Sequence, residues 1–261
     1  MRVDFRVEPG PDGPRITVSC PDRTSVAPLS QLLPALQSLT NKVVDAAVER
    51  ERKAGRKISC KAGCGACCRQ LVPISRTEAR ELPDLIASLS EAHRSRVMAR
   101  FSDTVSKLRV SGIWDRLEKY STLPRDERVA LGTEYFQLGI ACPFLEDESC
   151  SIHAVRPLVC RQYLVTSPAA NCTNPTPKTI AAVALGANVI RALTRVEAGE
   201  ANKPRPVPLV LAPFLNVDED ESKNTALAWM RLLLGQIKKI RDEQIAAKTG
   251  DSENDNAPEG V

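Results

Sequence analysis

The sequence predicts a mainly α protein, a single helical domain with a small N-terminal β-hairpin, organised around a two-part cysteine cluster. Three observations carry this expectation. Apolar residues recur at helical spacing through most of the 261 residues. Short β-favouring runs flank a turn at the N-terminus. Seven of the nine cysteines crowd into two stretches: Cys60, Cys64, Cys67 and Cys68 in SCKAGCGACCRQL, then Cys142, Cys150 and Cys160 in ACPFLEDESCSIHAVRPLVCRQY.

Residues 1–25 read as the hairpin, with VDFRVE and RITVSC as strands and PGPDGP supplying the turn. Cys20 falls on the second strand and reads as a small buried hydrophobe. From Leu29 to about Arg52, Leu32, Leu33, Leu36, Leu39, Val43, Ala47 and Val48 form one helical stripe that leads towards Cys60. After the first cluster, Ser75 and Glu78 have the spacing of a capping box, so a helix follows through Leu82, Leu85, Ile86 and Leu89 despite Pro83. A second amphipathic helix is expected from about Glu91 to Leu117. Its basic polar face reads as solvated, with His93 exposed on it.

Further helices are expected over Arg125–Gly139, Lys178–Glu197 and Thr225–Lys248, with KPRPVPLVLAPF as an extended connection because its prolines lack amide donors. Residues 26–248 thus make the helical, cysteine-bearing domain, and 249–261 an acidic tail that is disordered by composition. Cys172, alone before the NPTPK segment, reads as a buried, inert thiol.

Composition narrows the function classes. An apolar content of 43% supports a sizeable core. The opening MRVDFRVEPG is charged and turn-rich, unlike a cleavable signal, and no apolar run reaches the length of a membrane span, so a cytoplasmic, reducing location is expected. Disulfides explain nine cysteines poorly in that compartment. The net charge is +4, and removing the four acids of the tail leaves the rest near +8. Arginines are nevertheless interspersed with acids, and no basic stripe alternates with aromatics, which argues against nucleic acid as the partner. A protein partner is compatible with the sequence, and oligomeric state is not legible in it.

Soft thiolate ligands suit zinc and iron-sulfur clusters. The two clusters are separated by 73 residues without a cysteine, so a shared site would be assembled by the tertiary fold. In the first cluster, a helical turn after Cys60 would bring Cys64 towards Cys67 and Cys68, with Gly63 and Gly65 leaving room. Cys67 and Cys68 cannot share one ideal helical direction, so one of them can serve a second metal or lie outside the ligand shell. In the second cluster, CPFLEDESC can turn at its acidic centre and bring Cys142 near Cys150. His153 follows by three residues, as ligand, as donor to a thiolate, or as a structural residue. Arg156 and Arg161 can offset thiolate charge or form surface ion pairs.

The run CKAGCGACC, then CPFL, CSIH, the pair Arg156–Pro157, and Cys160–Arg161 together resemble the YkgJ-type cysteine-cluster family, named for its CxxCxxCC signature and described as zinc- or iron-chelating. The resemblance spans about residues 58–165, with CxxxC as the first interval here. It implies an intracellular metal-binding protein, and a related cysteine-rich region in flagellin lysine methylases adds a methylation-associated role as a lead. No glycine-rich cofactor loop follows a strand. The leading expectation is a structural or regulatory zinc or iron-sulfur site. The alternatives are an iron-sulfur enzyme in redox or protein-methylation-related chemistry, and a metal-stabilised protein or nucleic-acid interaction module.

Overall fold

A computed structural model describes residues 3–7, 16–20, 26–176, 178–201, 203–217 and 223–254. The N-terminal strands β1 (Val3–Val7) and β2 (Ile16–Cys20) pair antiparallel, with Val3 opposite Cys20 and Val7 opposite Ile16. The turn between them and the expected burial of the Cys20 thiol lie outside the described residues. The Thr17 carbonyl accepts a bond from Lys42 Nζ, which ties β2 to the first helix. A two-residue strand β3 (Val26–Ala27) and a 3-10 turn (Leu29–Leu32) then lead into α1 (Leu33–Lys53). Leu36, Leu39, Val43 and Ala47 of α1 are buried, the stripe that the periodicity predicts.

Beyond the first cysteine cluster come β4 (Pro73–Ile74) and α2 (Arg76–Ser88). Ser75 Oγ accepts the Glu78 amide at 3.1 Å and Glu78 Oε2 accepts the Ser75 amide at 3.1 Å, so the predicted capping box forms. Pro83 lies inside the helix. The next helix, α3 (Glu91–Val110), stops short of the expected Leu117. Gly112 takes a φ of +75°, a conformation that other residues adopt only at a cost, and a separate short helix, α4 (Trp114–Glu118), follows. His93 on α3 is half-buried rather than exposed, and its Nε2 has no hydrogen-bond partner.

Helix α5 (Arg125–Gln137) matches its expectation and precedes the two-stranded hairpin of β5 (Leu145–Glu146) and β6 (Ser149–Cys150). Next comes α6 (Leu158–Gln162), which carries Cys160 and Arg161. The helix predicted from Lys178 begins only at Val189, as α7 (Val189–Ala198). Its start is fixed by Asn188, whose side chain accepts the Arg191 amide at 3.0 Å. The preceding segment is extended. Its backbone pairs with the chain after α6, through Thr166 N to Ala181 O at 2.9 Å and Val183 N to Leu164 O at 2.9 Å. The proline-spaced segment is extended only at β7 (Val207–Pro208), which pairs with β4; Leu209–Phe214 then coils as a 3-10 helix.

Strand β8 (Asn224–Thr225) pairs with β3, and α8 (Ala226–Asn254) closes the chain. This last helix runs past Gly250, where the acidic tail was expected to begin, and residues 255–261 lie outside the described residues. Mainly α is therefore the right class, with only short antiparallel strand pairs. The core has three parts: α1, α7 and α8 around Leu36, Leu193 and Met230; α2 and α3 around Ile74, Phe101 and Phe144; and α4 and α5 around Leu117, Leu131 and Tyr135. Residues Leu209–Phe214 join the last two, since Leu209 packs in one and Leu211 in the other. Among the described residues no helix is long and apolar enough to cross a membrane.

Candidate metal centre

The first cluster does not form the α-helical turn that its spacing suggests. Instead Lys61–Cys64 closes a turn through Cys64 N to Lys61 O at 3.2 Å, and Ala66–Arg69 follows as a 3-10 segment closed by Cys68 N to Gly65 O at 3.0 Å. This stretch is fixed at its start by Ser59, whose amide donates to Val165 O at 2.9 Å. The second cluster is built on a hairpin in which Leu145 opposes Cys150 and Glu146 opposes Ser149. Its two-residue loop has Asp147 at φ 47° and Glu148 at φ 55°, the left-handed pair that matches strand twist in a tight hairpin. The acidic turn read from the sequence is therefore real, at some backbone cost for two residues that are not glycine.

Three contacts bring the clusters together. The Cys142 amide donates to the Cys68 carbonyl at 2.7 Å. Arg69 forms a two-pronged pair with Glu148, Nη1 to Oε2 at 2.9 Å and Nη2 to Oε1 at 2.6 Å, and Nη1 also reaches Gly65 O at 3.0 Å. The hairpin also sits directly on Gly65. A Cβ at that position would fall 2.5 Å from Glu148 Oε2 and 2.8 Å from Leu145 Cδ1. Gly65 is thus required for the close approach of one cluster to the other. On the far side Arg100 Nη1 holds Glu146 Oε1 at 2.8 Å and the Pro143 carbonyl at 3.3 Å, so part of the basic face of α3 positions the hairpin instead of facing only solvent.

Cys160 is placed by a buried carboxylate. Glu78 Oε1 accepts the Leu158 amide at 2.7 Å while Oε2 serves Ser75, so one side chain caps the starts of both α2 and α6. Arg161 is 4% exposed and fully engaged: Nε on Arg156 O at 2.9 Å, Nη2 on Ala154 O at 2.6 Å and Nη1 on Asn41 Oδ1 at 3.0 Å. It staples the 3-10 turn His153–Val155 to α1. Arg161 is therefore buried and structural rather than part of a surface ion pair, and its charge also lowers the Cys150 thiol.

The result is one open cavity of about 640 Å³ lined by Cys60, Cys64, Cys67, Cys68, Cys142, Cys150 and Cys160, with His153 and Arg156 also on its wall. His153 is exposed at that wall, and the Arg156 charge holds its imidazole below the usual range. Among the described residues no three Cys, His, Asp or Glu side chains already stand as a ready-made ion site. The thiols share a cavity rather than converge on a point.

Burial governs their protonation. It pushes Cys142 up to about 12, and raises Cys60, Cys150 and Cys160 as well. Cys67 is the exception, drawn down to about 6 because it accepts the Cys68 S–H, and the same contact raises Cys68.

Cys172 is buried, as the sequence reading has it, and is not among the residues lining the cavity, but its turn packs against the first cluster. It is 5% exposed, on the 3-10 turn Ala169–Thr173. Burial raises its thiol, and the charges of Cys60, Cys64 and Cys67 raise it further. No local spacing betrays this, because the contact is made by the fold.

Residues 59–179, which hold all seven expected cysteines and Cys172, match the family model described as the CxxCxxCC putative zinc- or iron-chelating domain. This segment belongs to the CxxCxxCC family. The match begins one residue before Cys60 and ends in the extended segment after Cys172, so the family domain holds the cavity's cysteines and Arg156 in one stretch. No curated protein and no solved structure matches the chain.

Proposed function

We propose that this chain is a metalloprotein in which both cysteine clusters hold a common zinc or iron-sulfur centre of structural or regulatory role. The observation that carries the reading is the convergence of seven cysteines, from segments 73 residues apart, on one cavity. The donor set fits either group, since four thiolates satisfy a tetrahedral zinc or a four-iron cluster. Cys60, Cys64, Cys67 and Cys68 would bind from one side and Cys142, Cys150 and Cys160 from the other, with Cys172 beside the first set. Zinc there would cross-link the two segments, whereas an iron-sulfur cluster would add electron transfer. The eight cysteines whose side chains are described are free, in keeping with a reducing compartment.

Loading must draw the thiols inward from the cavity wall, so metal binding and local folding are coupled. Arg161, Glu78, Arg69 and Gly65 hold the segments within reach before the ion arrives. One feature supports the iron-sulfur enzyme as a second reading: the centre opens to a cavity and has more thiols than one tetrahedral zinc uses, whereas structural zinc sites are usually closed. Anaerobic purification followed by elemental analysis and visible absorption tests both readings. Stoichiometric zinc without colour supports the structural site, and iron with a visible band that bleaches reversibly on reduction supports the iron-sulfur centre. Neither metal under anaerobic or aerobic preparation overturns the proposal.

A further inference from the structure

We propose that Arg156 is the counter-charge of the thiolate centre, donating its guanidinium N–H groups to the metal-bound sulfurs and thereby setting how tightly the metal is held. The inference rests on the metal-centre reading above and assigns a task within it. Arg156 precedes Pro157, and a residue before proline is confined to extended backbone; it lies at φ −55°, ψ 151°. That conformation turns the chain from the His153–Val155 turn into α6. Arg161 fixes it there by bonding the Arg156 carbonyl at 2.9 Å and the Ala154 carbonyl at 2.6 Å. The Arg156 side chain lines the cysteine cavity.

One of its buried donors is unspent. The Arg156 Nε is buried and has no hydrogen-bond partner, and among the described residues the side chain makes no ion pair. A buried, unmatched N–H is costly, so a partner is expected in the functional state. The cavity's carboxylate, Glu148, is already held by Arg69 at 2.6 Å. The same cavity wall carries the cysteines of both clusters, Cys60, Cys64, Cys67 and Cys68 from one and Cys142, Cys150 and Cys160 from the other, so Arg156 and the thiols share one enclosure. A divalent ion with four thiolates carries net negative charge in a half-buried site. A fixed guanidinium beside it offsets that charge and supplies charge-assisted hydrogen bonds to sulfur.

The test compares Arg156→Met, Arg156→Lys and the wild type by competition for zinc with a chromophoric chelator, beside thermal melting of each metal-free protein. Arg156→Met is expected to lose about 10- to 100-fold in zinc affinity, the range seen when groups that support metal ligands are removed. Its metal-free melting point should stay at the wild-type value, and Arg156→Lys, which keeps the charge, should recover part of the loss. If the centre is iron-sulfur, Arg156→Met should shift the reduction potential to more negative values. Wild-type zinc affinity, or an unshifted potential, in Arg156→Met overturns the inference and leaves the metal centre standing. A loss that Arg156→Lys does not relieve also overturns it, because shape and not charge would then be responsible. A wild-type protein that takes up neither metal overturns the metal reading itself.

Discussion

Substituting Gly65 by alanine tests how the two clusters are held together. The glycine's backbone is ordinary, at φ −91°, so the methyl group adds no conformational strain there. Its effect is steric. The new Cβ would lie 2.5 Å from Glu148 Oε2, 2.8 Å from Leu145 Cδ1 and 3.2 Å from Glu148 Cα. The carboxylate is the end of a flexible side chain and can swing away, at the expense of its pairing with Arg69. Leu145 Cδ1 and the Glu148 backbone have less freedom, because the hairpin is also held by Arg100 and by the Cys142–Cys68 backbone bond. Overpacking of this kind costs about 1–3 kcal/mol. If the hairpin relieves it by moving off the first cluster, that cost must be recovered when metal pulls the clusters together, and affinity falls by about 5- to 150-fold. Chelator competition measures the affinity, and hydrogen exchange at the Cys142 amide, which bonds the Cys68 carbonyl, measures the separation. Adding Glu148→Ala to Gly65→Ala should restore part of the affinity by removing the nearest atom. Wild-type affinity and protection in Gly65→Ala would refute the account of how the clusters are joined.

Cys64→Ala and Cys160→Ala, one from each side of the cavity, should each reduce bound metal and loosen protection in both cluster segments; unchanged metal content removes that residue from the site. Glu78→Ala leaves the Leu158 amide and the Ser75 amide and hydroxyl without their buried acceptor, a cost on the order of 3 kcal/mol. Urea unfolding should show that loss, with Cys160 becoming accessible to alkylation, and a wild-type midpoint would contradict the shared-cap role. Metal uptake should release protons, because burial keeps Cys60, Cys142, Cys150 and Cys160 as thiols at neutral pH; affinity should therefore rise with pH, as measured by calorimetry in buffers of different ionisation enthalpy. The same shifts favour the neutral thiol in the folded state, so the metal-free protein should be most stable below the unfolded thiol value of about 8.5. Its stability should decline as pH rises above that value, and an alkaline increase would contradict the burial of these thiols.

The fold was legible wherever local chemistry and tertiary demand agree. The stripe from Leu36 to Ala47, the Ser75–Glu78 box and α5 are all set by residues within a few positions of one another. The misses share a cause. Residues 178–188 have helix-favouring alanines, yet their amides and carbonyls are taken up by the strand-like segment Leu164–Thr166, which also steadies Ser59 ahead of Cys60. Tertiary pairing outweighs propensity there. Gly112, at φ +75°, divides the stretch that the apolar period alone reads as one helix.

The site divides in the same way. Soft ligands in two tight groups, with an acidic turn between Cys142 and Cys150, can be read directly from the chain. The division of labour between Arg156 and Arg161 cannot, since it depends on Asn41, 120 positions away from Arg161. The approach of Cys172 to the first cluster and the steric role of Gly65 likewise exist only once the hairpin and the 3-10 turns are in place.

The central claim, that cysteines of both clusters hold a common zinc or iron-sulfur centre, is tested most directly by X-ray absorption at the metal edge of anaerobically isolated protein, beside Cys68→Ala and Cys142→Ala. The account predicts a shell of sulfur scatterers, at about 2.3 Å if the metal is zinc, that is diminished by either substitution. A shell of oxygen and nitrogen alone, or a sulfur shell that one cluster's substitution leaves untouched, would contradict it.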